Sequence, residues 1–579
     1  MSSLIDFFDT FEFTEQDGVR IVELTEAEYD LSGLEFKINS PCRVISKCNS
    51  NVHLGRIVIA ECDTEWDGLS VEGSIVVRNA ENFIVRNCTF TKGNTGSGGC
   101  IVITRANKSL IENCYIHDSQ TCGIFVEASA LAVIRNVKTN KINSQNVFIT
   151  CYSKAEVTDC EFTETNDTAL CCIFESAIQL TNTTIKDSKG FGLNLNNACF
   201  SINNLKLINT TQNGINIYQC EQPAVIQNSY FQNTGSSSIS IINQFVPIKI
   251  INNVFEDIHG NAIIMTEESV GYIANNITKK IEFPAVAVLQ KSSAMITEND
   301  ISGCSRAAIC ARYAQTVEIF KNKIDGAEDT GISVSDSTDV RIHDNIIMNC
   351  LIAGVESYNE SQVTVKDNEF DHPGKYCFMC YAGAFLNASN NKIKHPDESM
   401  ILVSTHGSGD FVENTCTECD VQYTGETTGV IFMNSNSNYE NITNDEKRSN
   451  DKIKFIPPYQ DPCQGMCLKC RKKPRTRFLV PCGHKIFCDE CGQEAVKNGE
   501  SCPLCRFPIA SFTCSYTSTW DDDSNLCSIC AENEADVVIL PCGHTGLCSK
   551  CVQNWFSENN TCPICRKEES FMKKIHSNF

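Results

Sequence analysis

Along most of the chain, apolar and polar residues alternate in short runs that are separated by Asn, Asp, Ser and Gly. A recurring unit has the form apolar-x-x-Asn-x-x-apolar, as in IVRNCTF and VTVKDNEF. A second signal, Gly-apolar-x-apolar, follows eight or nine residues later, as in GIFV from Gly123 and GISV from Gly331. Alternation with period two in short segments bounded by turn formers predicts strands rather than helices.

The anchor Asn recurs at a nearly fixed spacing, which indicates a solenoid. In the later part of the array the step is constant, and the anchor falls at Asn253, Asn276, Asn299, Asn322, Asn345, Asn368, Asn391 and Asn414. Earlier anchors have a slightly variable step and fall at Asn87, Asn113, Asn136, Asp159, Asn182, Asn204 and Asn228. Repeats of this length, with two or three short strands each, predict a right-handed parallel β-helix. We expect each anchor to bond its equivalent one coil away, in an internal ladder.

The repeat also predicts the domain boundaries of this part of the chain. Residues 1–70 are strand-like and resemble the end cap and first coils of pectate-lyase-like β-helices, and a cap is required because an open end exposes a sheet edge. The β-helix is predicted over residues 71–430, and the polar stretch 431–462 is predicted to be a flexible linker. Four cysteines that follow anchors are interpreted as small apolar core residues rather than ligands or nucleophiles: Cys88, Cys114, Cys160 and Cys350.

Carbohydrate chemistry is one candidate for the β-helix, because many β-helices of this coil length are polysaccharide lyases or hydrolases. The polygalacturonase set of Asn-Thr-Asp, Asp-Asp, Gly-His-Gly and Arg-Ile-Lys is absent from the array. His343 with Asp344, and Asp367 with Asp371 and His372, could share a face, but solvated turn residues are the simpler interpretation. Since a fold alone does not specify an enzyme, we expect this domain to recognise a protein or a glycan.

The net charge of the chain limits the classes of partner that we expect. The chain carries a net charge of -23, and residues 451–579 hold 16 basic and 15 acidic side chains, which leaves 32 basic and 56 acidic ones for residues 1–450. An acidic body repels phosphate backbones, so we expect no nucleic-acid partner. No apolar run approaches the roughly 18 residues of a membrane helix, and the first residues do not resemble a secretion signal. We therefore expect a cytoplasmic protein without membrane contact.

The cysteines after residue 450 fall in tight pairs and form two sets of ligands with identical internal gaps. The first set is Cys467, Cys470, Cys482, His484, Cys488, Cys491, Cys502 and Cys505. The second set repeats it at a constant displacement and is Cys527, Cys530, Cys542, His544, Cys548, Cys551, Cys562 and Cys565. Four Cys or His ligands from two pairs close a tetrahedral structural zinc site, so eight ligands per module predict two Zn²⁺ ions in each module and four in the chain. The modules are predicted over residues 463–508 and 526–570, with a linker at 509–525 and a tail at 571–579.

The ligand order of three cysteines, one histidine and four cysteines, with PCGH and CPLCR or CPICR, resembles that of RING fingers. The resemblance implies two small α+β modules with a cross-braced fold. In the first finger, Cys467, Cys470, Cys488 and Cys491 would bind one ion, and Cys482, His484, Cys502 and Cys505 the other. In the second finger, the corresponding sets are Cys527, Cys530, Cys548 and Cys551, and Cys542, His544, Cys562 and Cys565. The resemblance also implies two partners, a ubiquitin-conjugating enzyme and the ubiquitin that it carries as a thioester.

In the RING family, a shallow apolar groove holds the conjugating enzyme. Carried over to the second finger, the groove consists of Ile529, Trp555 and Pro563, and Arg566 resembles the linchpin cation that bonds both ubiquitin and the conjugating enzyme. Such a finger catalyses by positioning, because the nucleophile and the thioester belong to other proteins. The alternatives are core packing for Ile529 and Trp555 and a solvated surface charge for Arg566.

The first finger and the C-terminal tail each affect the role expected of the RING modules. Lys469 and Ala495 replace the apolar groove residue and the Trp of the first finger, although Pro503 and Arg506 are retained, so we expect this finger to be a scaffold or pairing module. The tail KEESFMKKIHSNF resembles the tails of inhibitor-of-apoptosis RING fingers, where a terminal aromatic contacts the partner's ubiquitin in a dimer. A RING dimer that uses Phe579 in this way and a frayed terminus both stay open.

The sequence thus predicts a mainly β protein, a right-handed parallel β-helix followed by two zinc-binding RING modules. Its predicted function is that of a RING-type E3 ubiquitin ligase, in which the β-helix recognises a substrate. Two alternatives stay open. The first is a non-catalytic zinc-binding scaffold, and the second is a carbohydrate-binding or carbohydrate-active β-helix with regulatory RING fingers.

Overall fold

The computed structural model divides the chain into two compact units, residues 1–443 and 444–579. In the first unit it describes residues 4–60, 62–93, 96, 98–220, 222–417, 423–424, 431–434 and 437–438. In the second unit it describes residues 467, 469–470, 472–480, 485–498, 500, 511–514, 516–517, 527, 529–530, 533, 535, 537–540, 542, 544–556, 561–565 and 571–574. The protein is mainly β, with about 59% strand and 4% helix. Among the described residues, no helix is long and apolar enough to cross a membrane.

The first unit is a parallel β-solenoid of about 17 turns, which confirms the β-helix prediction. Each regular coil contributes one strand to each of three parallel sheets, which we call sheets A, B and C. The strand Val340–His343 of sheet A pairs with Gln362–Lys366 of the next coil, and Ile346–Met348 of sheet B pairs with Glu369–Asp371. The register shift between these coils is the same in both sheets and equals the step from Asn345 to Asn368, as the anchor spacing predicts.

All three sheets run through most of the first unit. The strands of sheet A are Val19–Leu24, Cys42–Ser46, Thr64–Asp67, Asn82–Arg86, Lys108–Glu112, Leu131–Arg135, Lys154–Thr158, Ala224–Gln227, Ile248–Ile251, Val270–Ala274, Ser293–Thr297, Thr316–Phe320, Val340–His343, Gln362–Lys366, Phe385–Ser389, Ser408–Val412 and Ile431–Asn434. The strands of sheet B are the first parts of Glu28–Ile38, Asn51–Ala60 and Ser70–Arg78, followed by Thr89–Thr91, Tyr115–Ser119, Lys138–Ile142, Glu161–Thr165, Tyr230–Thr234, Val254–Ile258, Ile277–Ile281, Asp300–Cys304, Lys323–Ala327, Ile346–Met348, Glu369–Asp371, Lys392–Lys394, Thr415–Thr417 and Ser437–Asn438. The strands of sheet C are Ile5–Asp6, the last parts of Glu28–Ile38, Asn51–Ala60 and Ser70–Arg78, and then Gly99–Thr104, Cys122–Glu127, Val147–Ile149, Ile215–Tyr218, Ile239–Ile242, Ile263–Thr266, Val286–Leu289, Ile309–Arg312, Thr330–Ser335, Ala353–Tyr358, Tyr376–Cys380, Ser399–Val403 and Tyr423–Thr424. Two long strands, Leu170–Ser188 and Leu193–Thr210, bend through all three sheets.

The core of the solenoid is built from identical positions of successive coils. Val317, Val340 and Val363 are register partners on three neighbouring strands of sheet A, and all three side chains are buried. Their polar neighbours along each strand point outward, which explains the period-two pattern of the sequence. β-branched side chains suit such stacks because they lose little rotamer freedom on a pleated surface.

The first coils are closed at one end by aromatic side chains. Phe7 lies in the single-turn helix Phe7–Asp9, is buried, and packs its ring against those of Phe36 and Trp66 at centroid distances of 5.9 Å each. The short strand Thr14–Gln16 pairs antiparallel with Val19–Leu24. This segment falls within residues 1–70, where the sequence predicts a cap.

The Asn anchors occupy two adjacent positions of the coil, so the single internal ladder predicted from the sequence is wrong for the early coils. Asn253 and its successors to Asn414 are buried. The earlier anchors, such as Asn113 and Asn136, are exposed in a left-handed turn and bond each other at 2.8 Å on the surface. The backbone N–H of Ser229 donates to Oδ1 of Asn253 at 2.9 Å, so Ser229 and not Asn228 is the equivalent of Asn253.

In three early coils, the buried ladder position is a cysteine. Cys88, Cys114 and Cys160 each follow an exposed left-handed anchor and are buried. Burial raises the pKa of Cys88 and Cys114 to about 12 and that of Cys160 to about 11. Cys350 follows a left-handed residue at a different turn, and burial raises its pKa to about 12 as well. Protonated buried thiols are neither ligands nor nucleophiles, which agrees with the sequence interpretation.

The buried ladder is expected to be a major source of solenoid stability. Asn322 accepts hydrogen bonds from the backbone and side-chain N–H groups of Asn299 at 3.0 and 2.9 Å, and it donates to the carbonyl of Ile296 at 2.9 Å. Asn322→Ala leaves the backbone N–H of Asn299 buried without its acceptor, so we expect the free energy of unfolding of the β-helix to fall by about 3 kcal/mol. Chemical denaturation followed by far-ultraviolet circular dichroism measures this free energy of unfolding. The matched control is Asn113→Gly in the exposed ladder, with a cost below about 1 kcal/mol, and equal losses in the two variants would refute a special role of the buried ladder.

Strand pairing continues past residue 430, where the sequence predicts the end of the β-helix. Ile431–Asn434 pairs with sheet A, and Ser437–Asn438 pairs with sheet B. The rest of the predicted linker, residues 435–436 and 439–462, lies outside the described residues.

The second unit contains two modules of the same design. The first has strands Arg477–Val480, Lys485–Phe487 and Ser511–Cys514 and helix Asp489–Lys497. The second has strands Val537–Leu540, His544–Leu547 and Phe571–Lys574 and helix Ser549–Phe556. In each module the first of these strands lies between the other two and pairs antiparallel with the last, and the two pairs are displaced along the chain by the same step as the ligands. The third strand of each module lies beyond residues 508 and 570, where the sequence predicts the modules to end.

A short strand from the predicted linker joins the sheet of the second module. Tyr516–Thr517 pairs in parallel with His544–Thr545, which makes that sheet four-stranded. Part of the segment that links the two modules is therefore built into the sheet of the second module.

Candidate zinc centres and partner groove

The first cluster of ligands in the second unit lies where a loop meets the start of a helix. Cys488 caps helix Asp489–Lys497 and Cys491 lies in its first turn, while Cys467 and Cys470 come from the loop before the first strand. The four sulfur atoms lie within 4.8 Å of one another, and those of Cys470 and Cys488 are 3.8 Å apart. Two sulfurs at opposite ends of a tetrahedral edge around Zn²⁺ are expected about 3.8 Å apart, because a Zn–S bond is about 2.3 Å long. The arrangement therefore fits a closed Cys₄ site.

The second module repeats this cluster and shows the other half of the cross-brace. Its first cluster comprises Cys527, Cys530, Cys548 and Cys551, with the sulfurs of Cys530 and Cys548 3.9 Å apart. Its second cluster comprises Cys542, His544, Cys562 and Cys565. Nδ1 of His544 lies 3.3 Å from the sulfur of Cys542 and 3.8 Å from that of Cys562. The two ligand sets interleave along the chain as in the cross-braced RING fold.

The other four predicted ligands, Cys482, His484, Cys502 and Cys505, lie outside the described residues. The three described clusters nevertheless agree with zinc as the cofactor and with two ions in each module, as the sequence predicts.

The pKa values of the clustered cysteines indicate thiolates whose charge a bound cation would neutralise. Hydrogen bonds from the backbone N–H groups of Lys472 and Lys473 lower the pKa of Cys470 to about 6. Burial would raise the pKa of Cys527, but hydrogen bonds from backbone N–H groups, among them that of Ile529 at 3.4 Å, lower it. Burial and then the neighbouring sulfurs raise the pKa of Cys551 to about 12. Four sulfurs at this spacing cannot all be charged unless a cation lies between them.

His544 has the protonation state that a zinc ligand needs. Burial lowers its pKa, so the imidazole is neutral near pH 7 and offers a lone pair to the metal.

The predicted groove residues of the second finger lie beside these clusters. Ile529, between Cys527 and Cys530, is 54% exposed and is the one large exposed apolar side chain among the described residues of this unit. Trp555 lies in helix Ser549–Phe556, is half-buried, and donates from its indole N–H to the carbonyl of Thr561 at 2.8 Å, which fixes its ring. Pro563 follows Cys562 and is half-buried. Arg566 lies outside the described residues.

The first finger carries charge where the second carries Ile529. Nζ of Lys469 lies 2.6 Å from Oε1 of Glu500 and 3.3 Å from Oε2 of Glu494. The hydrogen bond to Glu500 contributes most to raising the pKa of Lys469. Ala495, at the position of Trp555, is fully buried. Sequence reasoning found Lys469 and Ala495 but not the two acidic partners, because both partners lie far from Lys469 along the chain and only the fold brings them together.

The carboxylates and histidines that the sequence singles out in the β-helix fall into two rows of turns, one between sheets A and B and one after sheet B. His343 contacts Asp344 at 2.9 Å and Glu318 of the previous coil at 3.2 Å, and all three are partly solvated. Asp367 lies at the equivalent turn one coil after Asp344 and bonds Asn390 of the next coil. Asp371 contacts His372 and, on the next coil, His395, each at 2.9 Å. The sequence did not single out His395, although its position one full repeat after His372 was available as a signal.

The β-helix and the fingers both match known families. The family described as "Right handed beta helix region" matches residues 21–136, 122–248 and 237–393, and these matches together span more than half of the chain. The family described as "Zinc finger, C3HC4 type (RING finger)" matches residues 463–512 and 523–570.

Two curated relatives are similar over short segments. The chain is 41% identical over 71 residues to the E3 ubiquitin-protein ligase CBL-C of Homo sapiens, which is 12% of this chain and 15% of that protein. It is 42% identical over 57 residues to RING finger protein 151 of Bos taurus, which is 10% of this chain and 23% of that protein. The chain thus spans less than a quarter of the length of either relative.

Among solved structures, the Azotobacter vinelandii mannuronan C-5 epimerase AlgE4 A-module is similar at 9% identity and a TM-score of 0.27, over 67% of this chain and 91% of that chain. The fold itself rests on the strand pairings and the family match. Three parallel sheets with a constant register from coil to coil match the first family, and interleaved Cys and His clusters match the second. The chain therefore belongs to the right-handed β-helix family, and its β-helix is followed by two RING fingers of the C3HC4 type.

Proposed function

We propose that this protein is a RING-type E3 ubiquitin ligase whose second finger recruits a ubiquitin-loaded conjugating enzyme. The observation that carries the proposal is the exposure of Ile529 on a loop that two zinc-ligand cysteines fix in place. An exposed apolar side chain on a rigid loop is typical of a contact residue in a protein interface. The relatives of the fingers include a protein named an E3 ubiquitin-protein ligase, which supports the same activity.

The chemistry of such a finger is positional. Ile529, Trp555 and Pro563 would hold the conjugating enzyme, and Arg566, which directly follows the ligand Cys565 in the sequence, would bond ubiquitin and the enzyme together. A planar guanidinium with five donors suits a clamp between two backbones. Fixing the thioester in one orientation removes the entropy cost of finding it, and this lowers the barrier to attack by a substrate lysine. The zinc ions would supply rigidity, since all their coordination positions are filled by the chain.

The first finger is proposed to be a scaffold rather than a second ligase centre. Glu494 and Glu500 hold the ammonium group of Lys469 at the groove position. A charge in this place would have to be desolvated by an apolar partner surface, which costs free energy. The segment Tyr516–Thr517, which follows the last strand of this module, pairs with the second module and supports a structural role.

The β-helix is proposed to select the substrate, a protein or a glycan. Tyr152 and Phe174 lie at equivalent turns of successive coils and are 60% and 63% exposed, with the backbone N–H of Tyr152 bonded to the carbonyl of Phe174 at 3.1 Å. Large aromatic side chains exposed side by side are typical of recognition surfaces. A cytoplasmic location is part of the proposal, because thiolate zinc ligands and free thiols such as Cys88 and Cys114 suit a reducing compartment. A RING dimer through Phe579 also stays a proposal, since Phe579 lies outside the described residues.

Ubiquitin discharge tests the ligase proposal. The zinc-loaded full chain is mixed with a panel of conjugating enzymes that carry thioester-linked ubiquitin, and transfer to free lysine is followed on non-reducing gels. We expect accelerated discharge from at least one enzyme, and we expect Arg566→Ala to abolish the acceleration without loss of zinc. No acceleration with any enzyme, from a chain shown to hold four zinc ions, would favour the scaffold alternative.

A further inference from the structure

Asp371, His372 and His395 form a compact group of ligand atoms on the surface of the β-helix. Asp371 ends the sheet B strand Glu369–Asp371, and His372 follows it in a left-handed turn with φ +50°. His395 takes the same position one coil later, after Lys392–Lys394, with φ +51°. The backbone N–H of His372 donates to the carbonyl of Lys394 at 3.1 Å, so the two turns are stacked by the register of the solenoid.

The fold aims both imidazoles at one carboxylate oxygen. Nδ1 of His372 and Nδ1 of His395 each lie 2.9 Å from Oδ1 of Asp371, and the three atoms lie within 4.8 Å of one another. The two rings are stacked, with their centroids 4.6 Å apart and an angle of 23° between their planes. Ligand atoms of a metal ion bound at about 2.0 to 2.2 Å are separated by about 2.8 to 3.6 Å when the bond angles are about 90° to 109°. The group therefore has nearly the spacing that a divalent ion requires.

We propose that Asp371, His372 and His395 bind a fifth divalent ion, Zn²⁺, in an open site that differs from the closed sites of the RING fingers. Two imidazole nitrogens and one carboxylate oxygen are a ligand set that zinc accepts, and a site with three protein ligands leaves at least one position to water. The side chains of His372 and His395 are 57% and 36% exposed, so the open positions face solvent.

The competing arrangement needs no metal. A carboxylate oxygen can accept two hydrogen bonds, so Asp371 could hold both rings if each carried a proton on Nδ1. The register partner of Asp371 on the next coil, Lys394, is exposed and would repel a cation, although its long side chain can extend into solvent. The two arrangements differ in an observable way, because only the first changes the number of zinc ions that the protein binds.

The variants are chosen to preserve the fold. Asn349 occupies the same turn one coil before His372, with φ +54°, so asparagine is accommodated in this row. His372→Asn and His395→Asn therefore remove one nitrogen ligand each without straining the left-handed backbone. The matched control is His343→Asn, because His343 also contacts two acidic side chains but has no second histidine beside it.

In the experiment, Zn²⁺ is titrated into the full chain that already holds four ions. Isothermal calorimetry at constant pH near 7.5 measures the number of further ions bound and their affinity. We expect one further ion per chain, bound in the micromolar range. Each of His372→Asn and His395→Asn should lower the affinity for this further ion by at least about tenfold, because even residues that only support metal ligands contribute about 10- to 100-fold to affinity. His343→Asn should leave it unchanged.

A second measurement reports on the ligand type. Co²⁺ offered to the four-zinc chain should give weak visible bands without the intense sulfur-to-metal absorption of a thiolate site, which separates this ion from one exchanged into a RING finger. Binding of four ions only, or a fifth ion that both Asn variants retain at wild-type affinity, would overturn the proposal. The outcome is independent of ubiquitin transfer, since no step of the proposed ligase activity uses these residues.

Discussion

Ile529→Ala is expected to reduce ubiquitin discharge by the full chain about 30-fold or more, because truncating a central apolar contact costs about 2 kcal/mol or more of binding free energy. The side chain is more than half exposed, so the substitution removes little core packing. The hydrogen bond from its backbone N–H to the sulfur of Cys527 is retained, so the zinc site should be intact. The measurement is the initial rate of thioester loss at a chain concentration below saturation, together with the zinc content of both proteins.

The matched control for Ile529→Ala is Lys469→Ala, at the corresponding position of the first finger. Since Glu494 and Glu500 already neutralise Lys469, we expect its replacement to change the discharge rate less than about twofold, in line with the small free energy of exposed ion pairs. Equal losses in the two variants would show that both fingers contribute. No loss with Ile529→Ala would remove the groove from the mechanism even if discharge itself occurs.

The general architecture of the β-helix follows from the sequence because its two signals are properties of short segments. Alternation of apolar and polar residues depends only on the strand backbone, and a constant step between anchors depends only on the length of one coil. The internal ladder illustrates the limit of such reasoning. Asn228 and Asn253 occur in the same local sequence pattern, yet Asn228 is exposed and Asn253 is buried. The residue that occupies the buried ladder position one coil before Asn253 is Ser229, and nothing in the local pattern marks this change.

The RING modules show the same division between local and long-range information. Zinc ligands are predictable because repeated pairs of cysteines with two residues between them are typical of metal sites. The strands Ser511–Cys514 and Phe571–Lys574 were not predicted, since four residues of mixed character become a strand only when they pair with Arg477–Val480 and Val537–Leu540. The duplication of the module extends to these strands, but nothing in the residues themselves indicated pairing.

Interactions between distant residues were the least predictable part of both candidate sites. The contact of Lys469 with Glu500 depends on how the chain returns after helix Asp489–Lys497. That of Asp371 with His395 depends on the stacking of two turns. Each needs the three-dimensional register as well as the residue types, and each changes the chemistry of its surface.

Cys527→Ser is expected to remove two zinc ions rather than one, because the two sites of a cross-braced module share their supporting chain. Cys527 is buried, contributes one sulfur to the first cluster, and belongs to the same core as Val537 and Leu547. A structural zinc ion contributes about 10 to 16 kcal/mol of apparent binding free energy, which in a module this small is most of its folding free energy. Loss of the first ion frees the segment between Cys530 and Cys548, and that segment carries Cys542 and His544 of the second site. The second ion should therefore be lost as well.

The measurement for Cys527→Ser is zinc per chain by plasma mass spectrometry after loosely held metal has been removed, with an expected fall from four ions to two. The control is Cys310→Ser in the β-helix strand Ile309–Arg312, where the thiol is no zinc ligand and the count should stay at four. The far-ultraviolet signal of the β-helix should be unchanged in both variants, because the ligands belong to the other compact unit. A count of three for Cys527→Ser would mean that the two sites of the second finger fold independently, and the interleaved ligand order would then not couple them.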